Sequence, residues 1–387
     1  MTDMSKHEEA FRKHFDCEPQ IIVRAPGRVE VIGGHTDYND GFVLPMAIDR
    51  QCLVLSARRT DRTVRLFSEH FGQTCEFELS AGLAPGEPGW GNYAKGVAAL
   101  LLRVGKELVG LDMFLACDVP LGGGLSSSAA IEVGLAKSFL AGSDESFDPI
   151  DLALLCQETE HTFADSPCGI MDQFICVLAR SGHALLLDCR SQQYEHVPMP
   201  LDKAAILIAD TRVKHELGRS EYPVRRKQCE QAVEVLQQKL PAITALRDVD
   251  LMTLQRHKAV FDPLLYARAH HVVTENQRVL ETAEAFKAND LSKAGELMSR
   301  SHRSCRDDYQ ISCEELDFLV DEACRCEGVY GARMSGGGFG GCIVALVDRR
   351  MGGQVEAKLI EAYHRKYGIA PGIFVTSAGG GAEVIQS

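Results

Sequence analysis

Long apolar runs are missing from this chain. None approaches the roughly eighteen residues that a membrane-crossing helix needs. The opening MTDMSKHEEAFRKHF mixes charges around no apolar centre, so neither a signal peptide nor a membrane anchor is expected. Excess positive charge is missing too: 41 Lys and Arg against 54 Asp and Glu leave a formal net charge of -13, which argues against nucleic acid or anionic membrane as a partner. An anionic ligand would have to be held by local groups against that field. Zinc-site spacing is absent, since CRC at 324–326 and the His270-His271 pair fit no ligand pattern. The fourteen cysteines form no disulfide framework. They lie mostly in apolar stretches such as FLACDVP and DQFICVLA and read as buried reduced thiols of a cytoplasmic enzyme. Repeats and low-complexity tracts are lacking, and tryptophan occurs once, at Trp90.

What is present is an ordinary globular composition, 45% hydrophobic and 25% charged, over 387 residues. At roughly 150 residues per domain that length allows two lobes with a cleft. Strand-length apolar runs occur at IIVRA, CLVLSA, MFLACDV, HALLLDC, AAILIAD and CIVALVD. Between them lie helical patterns. NYAKGVAALLLRVGKEL places Val97, Leu101 and Val104 on one face, and SSSAAIEVGLAKSFLAG does the same with Ile131, Leu135 and Phe139. Two further amphipathic helices are predicted, one in EYPVRRKQCEQAVEVLQQKL and a longer one in DPLLYARAHHVVTENQRVLETAEAF. The alternation is too irregular for a barrel or a doubly wound sheet, so the class is α+β. CRSQQYEHVPMPLDK, near 190–203, divides the chain into lobes 1–195 and 196–387, and the glycine-rich tail SAGGGAEVIQS reads as a turn beside a last small strand.

Three glycine-containing segments carry the chemistry. RAPGRVEVIGGHTDYNDGFVLPMAIDR, residues 24–50, sets Arg28, Glu30, His35, Asp37 and Tyr38 among glycines, although a plain strand-to-loop turn would explain the glycines alone. In VPLGGGLSSSAA, residues 119–130, a strand ends and a helix opens on Ser126, Ser127 and Ser128. Serines there can simply cap the helix. Gly122, Gly123 and Gly124 ask for more, because a bare loop before a helix N-terminus offers amides and a positive dipole end to phosphate. No Gly-Lys-Ser/Thr follows, so this is no Walker loop, nor does GxGxxG open the helix. ARMSGGGFGGCIVALV, residues 332–347, supplies the third cluster, and the two glycine loops either face one anionic ligand or press on each other around it. In CQETEHTFADSPCGIMDQF, Glu160 and Asp172 stand among apolar neighbours, where a carboxylate must be paired, cap a turn or hold a metal. Magnesium would suit Glu160 with a serine hydroxyl.

Taken in order, these motifs resemble the GHMP small-molecule kinases, and among them the galactokinases. APGRVEVIGGHTDYNDGFVLP is similar to the family's N-terminal signature, PLGGGLSSSA to its phosphate loop and RMSGGGFGGC to its third motif. WGNYAKGV, PCGIMDQF, GHALLLDCR, SEYPVRRKQC and SHRSCRDDY add to the likeness, which runs from about residue 20 to the end. The resemblance implies a ribosomal S5-like N-terminal lobe and a ferredoxin-like C-terminal lobe with the site between them. It implies Arg28 and Asp172 as the catalytic pair at the anomeric hydroxyl, with Gly34, His35, Asp37, Gly169 and Tyr222 around the sugar. ATP would lie along Gly122, Gly123, Gly124, Leu125, Ser126, Ser127, Ser128 and Gly337 with Trp90 near adenine, and Mg2+ on Ser128 and Glu160. The partners are then a small sugar and ATP, with a cytoplasmic monomer as the expected form.

Two positions depart from the family's usual GRxNxIGEHxDY. Glu30 stands in place of Asn, and Gly34 in place of the acidic residue that in the family meets the hydroxyl on carbon six. Losing such a contact removes on the order of 1 kcal/mol of binding and opens space. The expected reaction is phosphoryl transfer from ATP to the anomeric hydroxyl of galactose, with Asp172 as base or electrostatic anchor. Two alternatives stay open: a kinase for a C6- or C2-altered sugar such as galacturonate, and a non-catalytic sugar sensor.

Overall fold

All six apolar runs become strands, and the four helical patterns become helices. The computed structural model describes residues 4–80, 82–120, 122–214 and 217–386. Helix α1 (Met4–Phe15) precedes β1 (Ile21–Ile32), β2 (Phe42–Arg58), β3 (Thr63–Ser68) and β4 (Gln73–Glu78). Next come α2 (Asn92–Arg103), β5 (Leu111–Cys117), α3 (Ser127–Gly142), α4 (Pro149–Phe163), α5 (Met171–Leu178), β6 (His183–Asp188) and β7 (Tyr194–Pro198). After β8 (Ala204–Lys214) the chain is mostly helical: α6 (Leu217–Gln237), α7 (Leu251–Arg256), α8 (Pro263–Lys287), α9 (Leu291–Ser304) and α10 (Glu314–Arg325). It closes with β9 (Val329–Ser335), β10 (Gly340–Asp348), α11 (Gly352–Tyr367), β11 (Gly372–Thr376) and β12 (Glu383–Gln386). None of the described helices is long and apolar enough to cross a membrane.

Two sheets result. The first runs β12-β1-β2-β5-β3-β4, with β6 and β7 joined through β2, and the second runs β11-β8-β10-β9. The sheet changes at β8, and β12, the small strand foreseen in the tail, returns to pair antiparallel with β1. The strands β8 and β10 serve two cores because side chains alternate along a strand. Ile206, Ile208 and Val344 join the core of the first sheet, built on Val23, Val31 and Val133, whereas Leu207, Ala209 and Ile343 face Leu319 and Leu359. The lobes therefore share apolar interior rather than merely touching.

One local feature aims the site. The register of β1 on β2 slips between Pro26 and Arg28 and again between Glu30 and Ile32. Such irregularities re-aim side chains, and these two bracket the segment from Arg28 to Glu30. Two expectations need correction. Val104 lies beyond the last turn of α2 and is 56% exposed, so the apolar face ends at Leu101. Cys52 and Cys117, read as reduced thiols, are joined as a disulfide, because β2 and β5 set them directly opposite with Cα atoms 4.1 Å apart.

Candidate active site

Arg28 and Asp172 meet across 144 residues of sequence. Arg28 Nε donates to one Asp172 carboxylate oxygen at 2.8 Å and Nη2 to the other at 2.7 Å, a bidentate pair, while Nη1 donates to the carbonyl of Gly124 at 2.6 Å. A planar guanidinium suits this geometry, which lysine could not reproduce. Arg28 comes from β1 and Asp172 from the first turn of α5. The main chain of β1 is itself tied to the glycine loop by Arg28 N–H donating to Leu125 O at 3.0 Å.

The serines at α3 do not behave as caps. Ser126 is the residue before the helix, yet it adopts a left-handed conformation, φ +57°, and its hydroxyl makes no capping bond. It donates instead to Asp172. By contrast, Asp148, Asp250, Asp262 and Asp290 cap α4, α7, α8 and α9 with their side chains. Four amides at an open helix start lack internal partners, so α3 keeps its positive end for something else. The two glycine loops touch each other, one of the arrangements foreseen for them. A Cβ on Gly336, φ +83°, would lie 3.0 Å from Gly124 O, and one on Gly341 would lie 3.1 Å from Gly123 O.

Beside the Arg28–Asp172 pair opens a cavity lined by Glu30, His35, Asp37, Gly169, Tyr222 and Gly337. Asp37 reaches it only because residue 169 is glycine: a Cβ there would lie 1.7 Å from Asp37 Oδ2. Burial, reinforced by the charge of Asp172, pushes the Asp37 carboxyl up to about 7. His35, at φ +60°, is lowered to about 3 by burial and is neutral. Its Nε2–H donates to the Gly337 carbonyl at 3.2 Å, which leaves Nδ1 to accept from the Tyr38 hydroxyl at 2.7 Å. Tyr309 OH follows at 2.8 Å from Tyr38 OH and Cys229 Sγ at 3.0 Å, so one chain of hydrogen bonds links both lobes to the third motif. The Tyr222 ring packs 5.1 Å from His35 and 5.3 Å from Tyr38.

Ser128 and Glu160 also come together, the hydroxyl bonding the carboxylate, whose pKa is raised mainly by burial. Gln173 Nε2 holds Glu160 at 2.8 Å and Glu132 at 3.3 Å. Glu132 is fully buried and pushed well up by desolvation. Among the described residues no three His, Cys, Asp or Glu side chains could hold a metal by themselves. A hard cation here would draw on the hydroxyl, the Glu160 carboxylate and oxygens of its ligand, a donor set that suits magnesium. Trp90 is not among the residues lining the cavity. It stacks on Phe71, rings 5.6 Å apart, at the turn before α2.

Sequence reasoning missed Arg333. It is 1% exposed, 2.6 Å from Glu30 Oε1, and donates from Nη1 to the Glu30 carbonyl at 3.0 Å and from Nε to Ser301 Oγ at 3.1 Å. Burial lowers its pKa, but Glu30 together with the neighbouring Cys305 and Glu275 outweighs this and holds it above the ordinary guanidinium value. A cation immediately before a glycine loop, in an otherwise apolar strand, was the available signal. The space expected at Gly34 is not open either. A Cβ there would lie 2.9 Å from Arg333 Nη2 and 3.1 Å from Glu30 Oε1.

Comparison with known proteins gives the family. Residues 92–180 match the GHMP kinases N terminal domain and residues 282–365 the GHMP kinases C terminal family. Mevalonate kinase has the same fold, with a TM-score of 0.65 at 16% identity over 95% of this chain and 99% of that one. Fold and motifs thus define a GHMP kinase, with its two lobes in the α+β arrangement. Residues 9–58 match the galactokinase galactose-binding signature. Galactokinase of Roseiflexus sp. is 45% identical over 98% of this chain and 97% of its own length, and human galactokinase is 41% identical over 99% and 96%. The Lactococcus lactis galactokinase complexed with galactose superposes with a TM-score of 0.94 at 33% identity, covering 99% of this chain and all of that one. The chain belongs to the galactokinase family.

Proposed function

We propose that this kinase transfers the γ-phosphoryl group of ATP to the anomeric hydroxyl of galactose, giving galactose 1-phosphate. The observation that carries the reading is the Arg28–Asp172 pair, fixed where the cavity meets the uncapped start of α3. In this reading the sugar lies among Gly34, His35, Asp37, Gly169 and Tyr222, with its anomeric oxygen at Asp172. The triphosphate runs over the amides of Gly122, Gly123, Gly124, Leu125, Ser126, Ser127 and Ser128 with Gly337 facing it, and adenine reaches the Trp90–Phe71 stack. Ser128 and Glu160 would hold Mg2+, which when bound neutralises charge on the phosphates.

Positioning and electrostatics do most of the work in phosphoryl transfer. Asp172 accepts the proton of the anomeric hydroxyl, and Arg28 and Ser126 fix its two oxygens and offset charge building on the reacting oxygen. Residues 1–195 supply this machinery, and residues 196–387 close it with Tyr222 and Gly337. The protein acts in the cytoplasm as a monomer. Asp172→Asn is expected to lower kcat by about 10²-fold or more. A folded variant with near-normal turnover would remove Asp172 from the mechanism. A galacturonate kinase would phosphorylate galacturonate in preference to galactose, which a sugar panel at fixed ATP decides. A sugar sensor would bind nucleotide yet release no ADP with any sugar.

A further inference from the structure

Glu30 stands apart from the machinery described so far. It lines the same cavity as Arg28 and Asp37 although the residue is only 2% exposed. Oε1 is buried 2.6 Å from Arg333 Nη1, an ion pair that fixes the carboxyl group. Among the described residues, Glu30 is the one carboxylate within ion-pair distance of Arg333, since the neighbouring Glu275 is paired to Arg278 at 2.6 Å. The position is tightly specified. The Glu30 amide donates to Ser335 Oγ at 2.9 Å, its carbonyl accepts from Arg333, and β1 is irregular on both sides of it.

Glu30 follows Arg28 by two residues on β1. In extended chain that is about 6.6 Å, comparable with the span of a hexose ring from its anomeric oxygen to its far hydroxyls. Residue 34 contributes no side chain, and any it carried would enter the volume between Arg333 Nη2 and Glu30 Oε1. Positions 30 and 34 therefore address one space and one buried guanidinium.

We propose that Glu30, anchored by Arg333, is the specificity-determining residue for the far side of the sugar, accepting a hydrogen bond from the hydroxyl on carbon four or on exocyclic carbon six. The inference rests on the galactose reading and extends it to a residue that reads substrate without taking part in transfer. It makes the acid at position 30 and the glycine at position 34 a matched pair: either position can supply the carboxylate, but not both. It also makes the site hostile to sugars carrying their own carboxylate at carbon six.

The test is steady-state kinetics with galactose, 4-deoxygalactose, 6-deoxygalactose and galacturonate, using the wild type, Glu30→Gln, and the double variant Glu30→Asn with Gly34→Glu. For the wild type we expect kcat/KM to fall at least about tenfold for one of the two deoxy sugars, which identifies the hydroxyl, and galacturonate to be rejected. Glu30→Gln, which keeps an acceptor oxygen but loses the charge anchored by Arg333, should raise the galactose KM about tenfold with kcat changed much less, and should shrink the deoxy-sugar penalty. The double variant should recover the galactose KM, and it carries the test if Glu30→Gln does not fold. Wild-type enzyme that turns over galactose yet accepts both deoxy sugars equally well overturns the assignment. So does Glu30→Gln with an unchanged galactose KM. Failure of the wild type to phosphorylate galactose at all would instead overturn the galactose reading, and this inference with it.

Discussion

Single side chains in this site owe their behaviour to what surrounds them. Asp37 shows it most directly, because burial and the charge of Asp172 lift its carboxyl to about 7. The sign follows from linkage. An acid whose folded pKa exceeds its unfolded value binds its proton more tightly in the folded state, so its contribution to stability declines as pH rises from about 4 through 7. For substrate the sense is opposite, since only the ionised form accepts hydrogen bonds from sugar hydroxyls at both oxygens. The profile of kcat/KM for galactose is therefore expected to rise between pH 6 and 8, and Asp37→Asn to lose that limb at lower activity. A flat wild-type profile over the same range would place the titrating group elsewhere. Arg28, Asp172, Asp37 and Gly169 were legible in sequence because each lies within a short motif. The Glu30–Arg333 pair was not, because its partners are 303 residues apart and only tertiary packing brings them together.

The two glycine loops were recognisable as elements, and sequence left open whether they faced a ligand or each other. They touch, for a reason visible only in three dimensions: Gly124 and Gly336 both have positive φ, and their backbones approach more closely than side chains would allow. Gly336→Ala adds a methyl 3.0 Å from Gly124 O and forbids the backbone angle. It is expected to cost about 1–3 kcal/mol and to raise the KM for ATP more than that for galactose, as thermal melts and initial rates would register. Equal changes in both constants would mean that the loop does not shape the phosphate side alone. The serines at α3 could be read as ordinary caps, and only the glycines before them pointed to an open helix end. Asp172, 46 residues on, takes the Ser126 hydroxyl and leaves the helix end free.

At the scale of the molecule, the shared core makes the two lobes one cooperative unit. Ile208 lies on the face of β8 turned toward the first sheet and is fully buried. Ile208→Ala is expected to destabilise the protein by about 2–5 kcal/mol and to lower a single calorimetric transition. Separate melting of the two lobes in that variant would contradict a common interior. The α+β class and most elements were readable from apolar periodicity. The return of β12 to β1 and the alternation that splits β8 between two cores were not, because strand pairing over long separations leaves no mark in a local pattern. Site and fold meet at one junction, where a sugar oxygen beside Asp172 must face a phosphate resting on the start of α3. A crystal structure with galactose, Mg2+ and a non-hydrolysable ATP analogue examines that junction directly. It should show the anomeric oxygen within hydrogen-bonding distance of Asp172 and the triphosphate on the amides of residues 122–128, whereas phosphates bound elsewhere, or a sugar remote from Asp172, would contradict it.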